Sequence, residues 1–333
     1  MIFAWIAFLL MVGVLLAFDL GVMNKDDHAI TVREAFRNTA LFATLAIAFG
    51  GVVYLAYDHQ WLGLGTTPDA IDHATNTGRL ALVKYLTGYV VELSLSSDNV
   101  FVIALIFSHL RVPTAYQHRV LFWGILGALV MRGSLIAVGA TLVARFHWLL
   151  YGFGVFLLYT AGKMLFTKGD AAGGPDENAL VRFFRRVLPV TDTERGHDFV
   201  VKEAGRWMLT PLAICLLLVE TTDLLFAFDS IPAIFAITTD PFLVFTSNVF
   251  AILGLRSLYF ALAGALDRFV HLKTALAIIL GIVGAKMLIS DWLVETFGTA
   301  VNQWLLVLIA AILGGSVVVS LAGERKAKAD DKS

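Results

Sequence analysis

Apolar runs of about 18 residues or more, each nearly free of charge, recur along almost the whole of this chain. In hydrocarbon every backbone N–H and C=O must be satisfied inside the protein, which directs such runs into transmembrane α-helices. The expected fold class is all-α, a polytopic membrane protein forming a single transmembrane domain over 1–333. About nine transmembrane helices are read near 2–22, 38–57, 81–107, 120–143, 147–166, 208–237, 242–264, 274–290 and 303–321. Only 15% of residues are charged and 58% are hydrophobic, against about 25% charge in soluble domains.

Charge between the runs sets the orientation. Segments 23–37, 108–119, 167–207, 265–273 and the tail after 321 hold eighteen Lys and Arg, and the alternate segments hold two. The positive-inside rule then puts the N-terminus outside and the C-terminus in the cytoplasm, as expected of a multi-pass protein of the bacterial inner (plasma) membrane. The first run lacks a basic leader and reads as a retained helix, not a signal peptide. The segment 167–207 reads as a cytoplasmic loop, Gly/Asp-rich at first and then basic and amphipathic at Leu180–Leu188, as suits an interfacial helix on anionic lipid. The single cysteine, Cys215, excludes an intrachain disulfide.

Five carboxylates nevertheless lie inside two of the apolar runs: Glu92 and Asp98 in the third, and Glu220, Asp223 and Asp229 in the sixth. A carboxylate at bilayer depth is costly and persists where it faces a protein interior or an aqueous cavity. The two runs are versions of one another. With Glu92 set on Asp223 and Asp98 on Asp229, each reads acid, Leu, four residues, Asp, then Asn or Ser. Arg132 and Arg256 occupy the next span in each half, and Gly162-Lys163-Met-Leu and Ala285-Lys286-Met-Leu the one after. Residues 81–166 and 208–290 are therefore read as two three-helix repeats. An odd number of crossings inverts one against the other, a recurrent transporter architecture. A final helix at 303–321 and a cytoplasmic tail at 322–333 complete the chain.

The acids point to a cation pathway. Glu220 and Asp223, three apart, share a helix face. Glu92 and Asp98, six apart, diverge by about 120° on a regular helix. Pro232 in one run, and Ser94, Ser96, Ser97 and Asn99 in the other, predict that both helices break there and expose carbonyls and hydroxyls. Depth arithmetic sets Asp98 level with Glu220, Asp229 nearest Glu92, and Asp223 between. The expected metal ligands are Glu92, Asp98, Glu220, Asp223 and Asp229, with Asn99, Ser97, Ser230 and Asn248 as further ligands. Arg132, Arg256, Lys163 and Lys286 balance charge; with Lys84, the bases within spans equal the five acids in number. Oxygen ligands without thiolate or imidazole at depth suit Mg²⁺, Ca²⁺ or Mn²⁺ better than Zn²⁺ or Cu⁺.

These same residues resemble the TerC family of integral membrane proteins, named for tellurium resistance and including Alx-type manganese exporters. The likeness is carried by Tyr85–Phe101, which holds Glu92 and Asp98, by Tyr116–Gly124, by Glu220–Ala233 and by Thr246–Arg256. It covers about 78–290. It implies an inner-membrane Mn²⁺ exporter distantly related to the lysine-exporter superfamily, with the family's acidic residues falling on Glu92, Asp98, Glu220, Asp223 and Asp229.

The expected function is thus export of divalent cations, Mn²⁺ foremost, through a carboxylate site at the midplane, with protons as counter-ion. The expected partners are the metal ion and the lipid bilayer, with membrane partner proteins allowed for, no nucleic acid and no tightly bound cofactor. The alternative is a membrane scaffold, or a stress-response or insertion factor, without transport activity of its own. An enzyme is not expected, since neither Asp98 nor Asp229 stands in a Gly-x-Gly-Asp context.

Overall fold

A computed structural model describes residues 1–18, 32–166, 177–191, 198–203, 205–262 and 272–330. In chain order the helices are α1 (Ile2–Phe18), α2 (Val32–Asp58), α3 (Gly78–His109), α4 (Thr114–Arg145), α5 (Leu149–Phe166) and α6 (Glu177–Val187). A short hairpin follows, β1 (Val200–Glu203) with β2 (Arg206–Leu209), then α7 (Pro211–Phe235), α8 (Pro241–Leu262), α9 (Leu272–Leu288), α10 (Ser290–Phe297) and α11 (Ala300–Asp330). Each of the nine apolar segments is centred on one of these helices. Among the described residues six helices are long and apolar enough to cross a membrane, or seven if α9 and α10, bent by 79°, count as one span. Ile2–Phe18 and Pro241–Leu255 are shorter apolar helices.

Helix ends follow local chemistry. Thr210 caps α7 by accepting the Ala213 N–H at 3.3 Å, and Pro211 supplies the first helical residue, where a missing N–H costs nothing. Asp240 caps α8 in the same way, accepting from Phe242 N at 3.0 Å ahead of Pro241. The segment 167–207 holds more than a loop: α6 occupies part of the expected amphipathic stretch, and β1 pairs antiparallel with β2, Val201 opposite Met208.

The expected breaks in the acid-bearing helices are not there. α3 runs unbroken through Glu92 and Asn99, because Ser94 and Ser97 donate to the Val90 and Leu93 carbonyls of their own helix, at 2.6 and 3.0 Å. Thr221 and Thr222 do the same on α7. Pro232 falls in the last turn of α7, where little helix remains to be broken, and its carbonyl still accepts from Ala236 N at 3.0 Å.

α3, α4, α7 and α8 form the central bundle, α2 lies against α3 and α8, and α5 packs along α9. That last crossing is close because it is built on glycine: a Cβ on Gly284 would stand 3.0 Å from the Gly154 carbonyl oxygen. Trp5 and Phe8 of α1 join an aromatic cluster with Phe242, Phe245 and Phe250 of α8 and Phe49 of α2. Among the described residues the buried apolar side chains fall into two clusters. On α3 one includes Val91 and the other Val100; on α7 one includes Val219 and the other Ala227. The polar band of Glu92–Asn99 and Glu220–Asp223 divides them.

Candidate functional site

Arg132, on α4, is the centre of that band and is 1% exposed. Its Nη2 donates to Asp223 Oδ1 at 2.7 Å and its Nε to Asp223 Oδ2 at 3.1 Å, a two-pronged grip on one carboxylate. Its Nη1 bonds Glu92 Oε1 on α3 and reaches Asn248 Oδ1 on α8 at 3.1 Å and Ser230 Oγ on α7 at 3.4 Å. Asn248 closes the ring by donating to Glu92 Oε2 at 3.1 Å. Ser96 adds a bond to Glu92 Oε1 at 3.3 Å, and Asn99 donates to Asp223 Oδ1 at 3.2 Å. One guanidinium thus ties together two carboxylates that occupy matching places in the two sequence motifs.

Among the described residues two buried oxygens of this band have no hydrogen-bond partner, Asn99 Oδ1 and Glu220 Oε2. Both flank Asp223, one across the Asn99–Asp223 bond and the other one helical turn earlier on α7. Gly127 of α4 faces Glu220 so closely that a Cβ there would collide with its carboxylate.

The other expected residues are placed differently. Asp229 is half-buried and accepts from Thr160 Oγ1 of α5 at 3.4 Å. Lys163, read as an interior base, is exposed on the surface of α5. Lys286 is buried, and the bonds it makes go to the Ala236 carbonyl at 2.7 Å and Asn302 Oδ1 at 3.5 Å. The hydroxyl of Ser97 is turned back on its own helix. The side chains of Asp98 and Arg256 lie outside the described residues. Among the described residues no three His, Cys, Asp or Glu side chains come together as a metal-holding group.

A second polar cluster escaped the sequence reading. Lys84 of α3 is fully buried and donates to Asp69 Oδ2 at 2.8 Å, Asp72 Oδ1 at 3.1 Å and Asn76 Oδ1 at 2.7 Å. Its partners come from the segment between α2 and α3, so the parity of five bases with five membrane acids was coincidental. Nothing in the sequence marks Asp69 or Asp72 as buried. The usable signal was Lys84 itself, a lysine in an apolar run that needs an anion nearby.

Long apolar helices around an ion-paired interior define a polytopic membrane protein with an ionic core. The family described as integral membrane protein TerC family matches residues 77–330, and the chain belongs to that family. It is 46% identical over 327 residues to the uncharacterized membrane protein STKORF319 of Myxococcus xanthus, covering 98% of this chain and 94% of that one. It is 44% identical over 289 residues, 86% of each chain, to Alx of Escherichia coli strain K12, provisionally named a membrane-bound redox modulator. A membrane protein of Rickettsia felis is 37% identical over 290 residues, 87% of this chain and 89% of that one. No solved structure matches.

Proposed function

We propose that this protein is a secondary transporter that exports hard divalent cations, Mn²⁺ foremost, across the bacterial inner membrane in exchange for protons. The observation that carries the reading is the pair of unpartnered buried oxygens, Asn99 Oδ1 and Glu220 Oε2, beside a cluster holding two carboxylates to one guanidinium. A buried acceptor left without a donor costs about 1–3 kcal/mol. A cation between Asn99, Glu220 and Asp223 would satisfy both and take up the surplus negative charge, and oxygen-only ligation favours Mn²⁺, Ca²⁺ or Mg²⁺. Mg²⁺ surrenders its water reluctantly, which leaves Mn²⁺ ahead at a narrow site. Arg132 then acts as a tethered counter-ion that holds Asp223 and Glu92 between transport cycles.

The inverted repeat belongs to this proposal and has support in the packing. If α3–α5 and α7–α9 are related by a two-fold axis, α3 with α8 must be matched by α4 with α7, and α5 with α7 by α3 with α9. All four pairs are in contact, as are the self-matched pairs α3 with α7, α4 with α8 and α5 with α9. The count of Lys and Arg supports an outer N-terminus and a cytoplasmic C-terminus. A redox role of the dithiol kind would need a second cysteine, and the chain has Cys215 alone.

The test is uptake into proteoliposomes holding the purified protein, across Mn²⁺, Ca²⁺, Mg²⁺ and Zn²⁺, with an internal pH dye. Mn²⁺ flux coupled to opposite proton flux is the expected result. No flux of any ion from well-folded protein would leave the scaffold reading in its place.

A further inference from the structure

We infer that residues 58–77 form a strap that closes the outer end of the pathway, and that Lys84 is its latch. The inference rests on the transport reading and on the orientation proposed with it. The strap is anchored to α3, to α11 and to the turn between α7 and α8. Asp69 Oδ1 accepts from Thr239 N at 3.1 Å and Thr239 Oγ1 at 2.9 Å, in the turn between α7 and α8, and Ala70 N donates back to Thr239 Oγ1 at 2.9 Å. Asp72 Oδ2 accepts from Asn302 of α11 at 2.9 Å. Asn76 donates to Asp240 at 3.3 Å, and Tyr57 of α2 donates to the same Asp240 oxygen at 2.8 Å. Lys286 of α9 ties Asn302 to the carbonyl of Ala236, the residue that follows α7.

Gly65 allows the strap its entry turn: its φ is +70°, and a Cβ there would stand 2.7 Å from the Asn76 carbonyl oxygen. Lys84 lies eight residues before Glu92 on α3, about 12 Å along the axis at 1.5 Å per residue. The strap therefore sits two helical turns from the ionic core, at the end of α7 that carries Ala236.

Its chemistry suits a latch better than a scaffold. The groups that bond it are charged and polar side chains from α3, the α7–α8 turn and α11, with Tyr57 of α2 and Lys286 of α9 bonded in turn to Asp240 and Asn302, and these would have to part for an ion to leave on that side. A fastening made of ion pairs and hydrogen bonds can be exchanged for water when it opens, at a far smaller net cost than its gross strength. Apolar packing has no such substitute.

The test uses the full chain with Cys215→Ala, in proteoliposomes of known orientation. Ala70→Cys with Thr239→Cys would staple the strap to the α7–α8 turn at a place where the two already meet. Oxidation should lower Mn²⁺ flux at least tenfold, with recovery on reduction. A second arm reads access without transport: Ser230→Cys is treated from the outer side with a membrane-impermeant thiol reagent, and adding Lys84→Met should speed its labelling at least tenfold. A stapled protein that transports at the reduced rate, or labelling unchanged by Lys84→Met, would overturn the latch. If even the reduced protein moves no ion, the transport reading fails and the labelling arm alone decides whether the strap closes this end.

Discussion

Arg132 and Asp223 face each other across α4 and α7 with two parallel hydrogen bonds, at 2.7 and 3.1 Å, while the same guanidinium holds Glu92. Two acids and one base in a buried cluster make the base indispensable. Arg132→Gln should destabilise the protein by about 3–5 kcal/mol, because it strands two carboxylates that cannot return to water. Thermal unfolding in detergent checks this. Arg132→Lys should rescue it only in part, since one ammonium cannot supply the two-pronged grip.

Glu220→Gln should behave in the opposite way. Its Oε2 supports no bond in the fold, so stability should change by less than about 1 kcal/mol, the worth of one ordinary hydrogen bond. Mn²⁺ affinity should fall roughly tenfold or more, equivalent to about 1.4 kcal/mol. Unaltered flux and affinity at matched protein levels would remove Glu220 from the site.

Gly127→Ala probes the same carboxylate from across the helix interface. The added methyl would claim space held by the Glu220 carboxylate, the movable end of a flexible side chain. The fold should survive while transport drops. Pairing it with Glu220→Gln should add no further loss, and full additivity would contradict a shared cause.

Gly284→Leu should fail in folding itself. Its Cβ would press on the Gly154 backbone, which cannot turn aside, so a loss of at least about 1–3 kcal/mol is expected from overpacking. Size-exclusion profiles and melting temperature report it; a normal melt would show that α5 and α9 can separate without penalty.

The Asp69–Lys84 fastening should be insensitive to mild acid. Burial alone would raise the Asp69 carboxyl, but the Lys84 ammonium, with bonds from Thr238 and the Ile71 N–H, outweighs it and holds Asp69 at about 2. A folded value below the ordinary carboxylate value means that the stabilisation is complete above about 3.9 and is lost only as pH falls through about 2. Hydrogen exchange at the Ile71 amide, corrected for intrinsic rate, should therefore stay flat between about pH 5 and 8.

The helices were legible because length and hydropathy are local properties, and Arg132 announced itself as a charge needing buried partners. What could not be read were relations between distant parts. Depth arithmetic along single helices put Asp229 nearest in level to Glu92, whereas Glu92 and Asp223 share Arg132 and Asp229 turns toward Thr160. Helix tilt and rotation, which decide such pairings, come from packing and leave no periodic mark in the chain. The serines of α3 misled for a related reason. A hydroxyl that could compete with a helix can equally bond back along it, and only the finished helix decides. The aspartates of the strap carry no mark of burial, since a sequence does not say which loop folds inward.

The strap also has a place in time. Asp69 meets Thr239 across 170 residues of chain, and Asp72 meets Asn302 across 230. Contacts so far apart in sequence bring reward only after the intervening chain has been ordered. α11 must be in position before Asn302 can engage, so the strap is among the last parts of the molecule to settle. A chain stalled in assembly would leave Asp69, Asp72 and Lys84 without one another, open to proteases on that face. The same fastening thereby reports whether the bundle beneath it is complete.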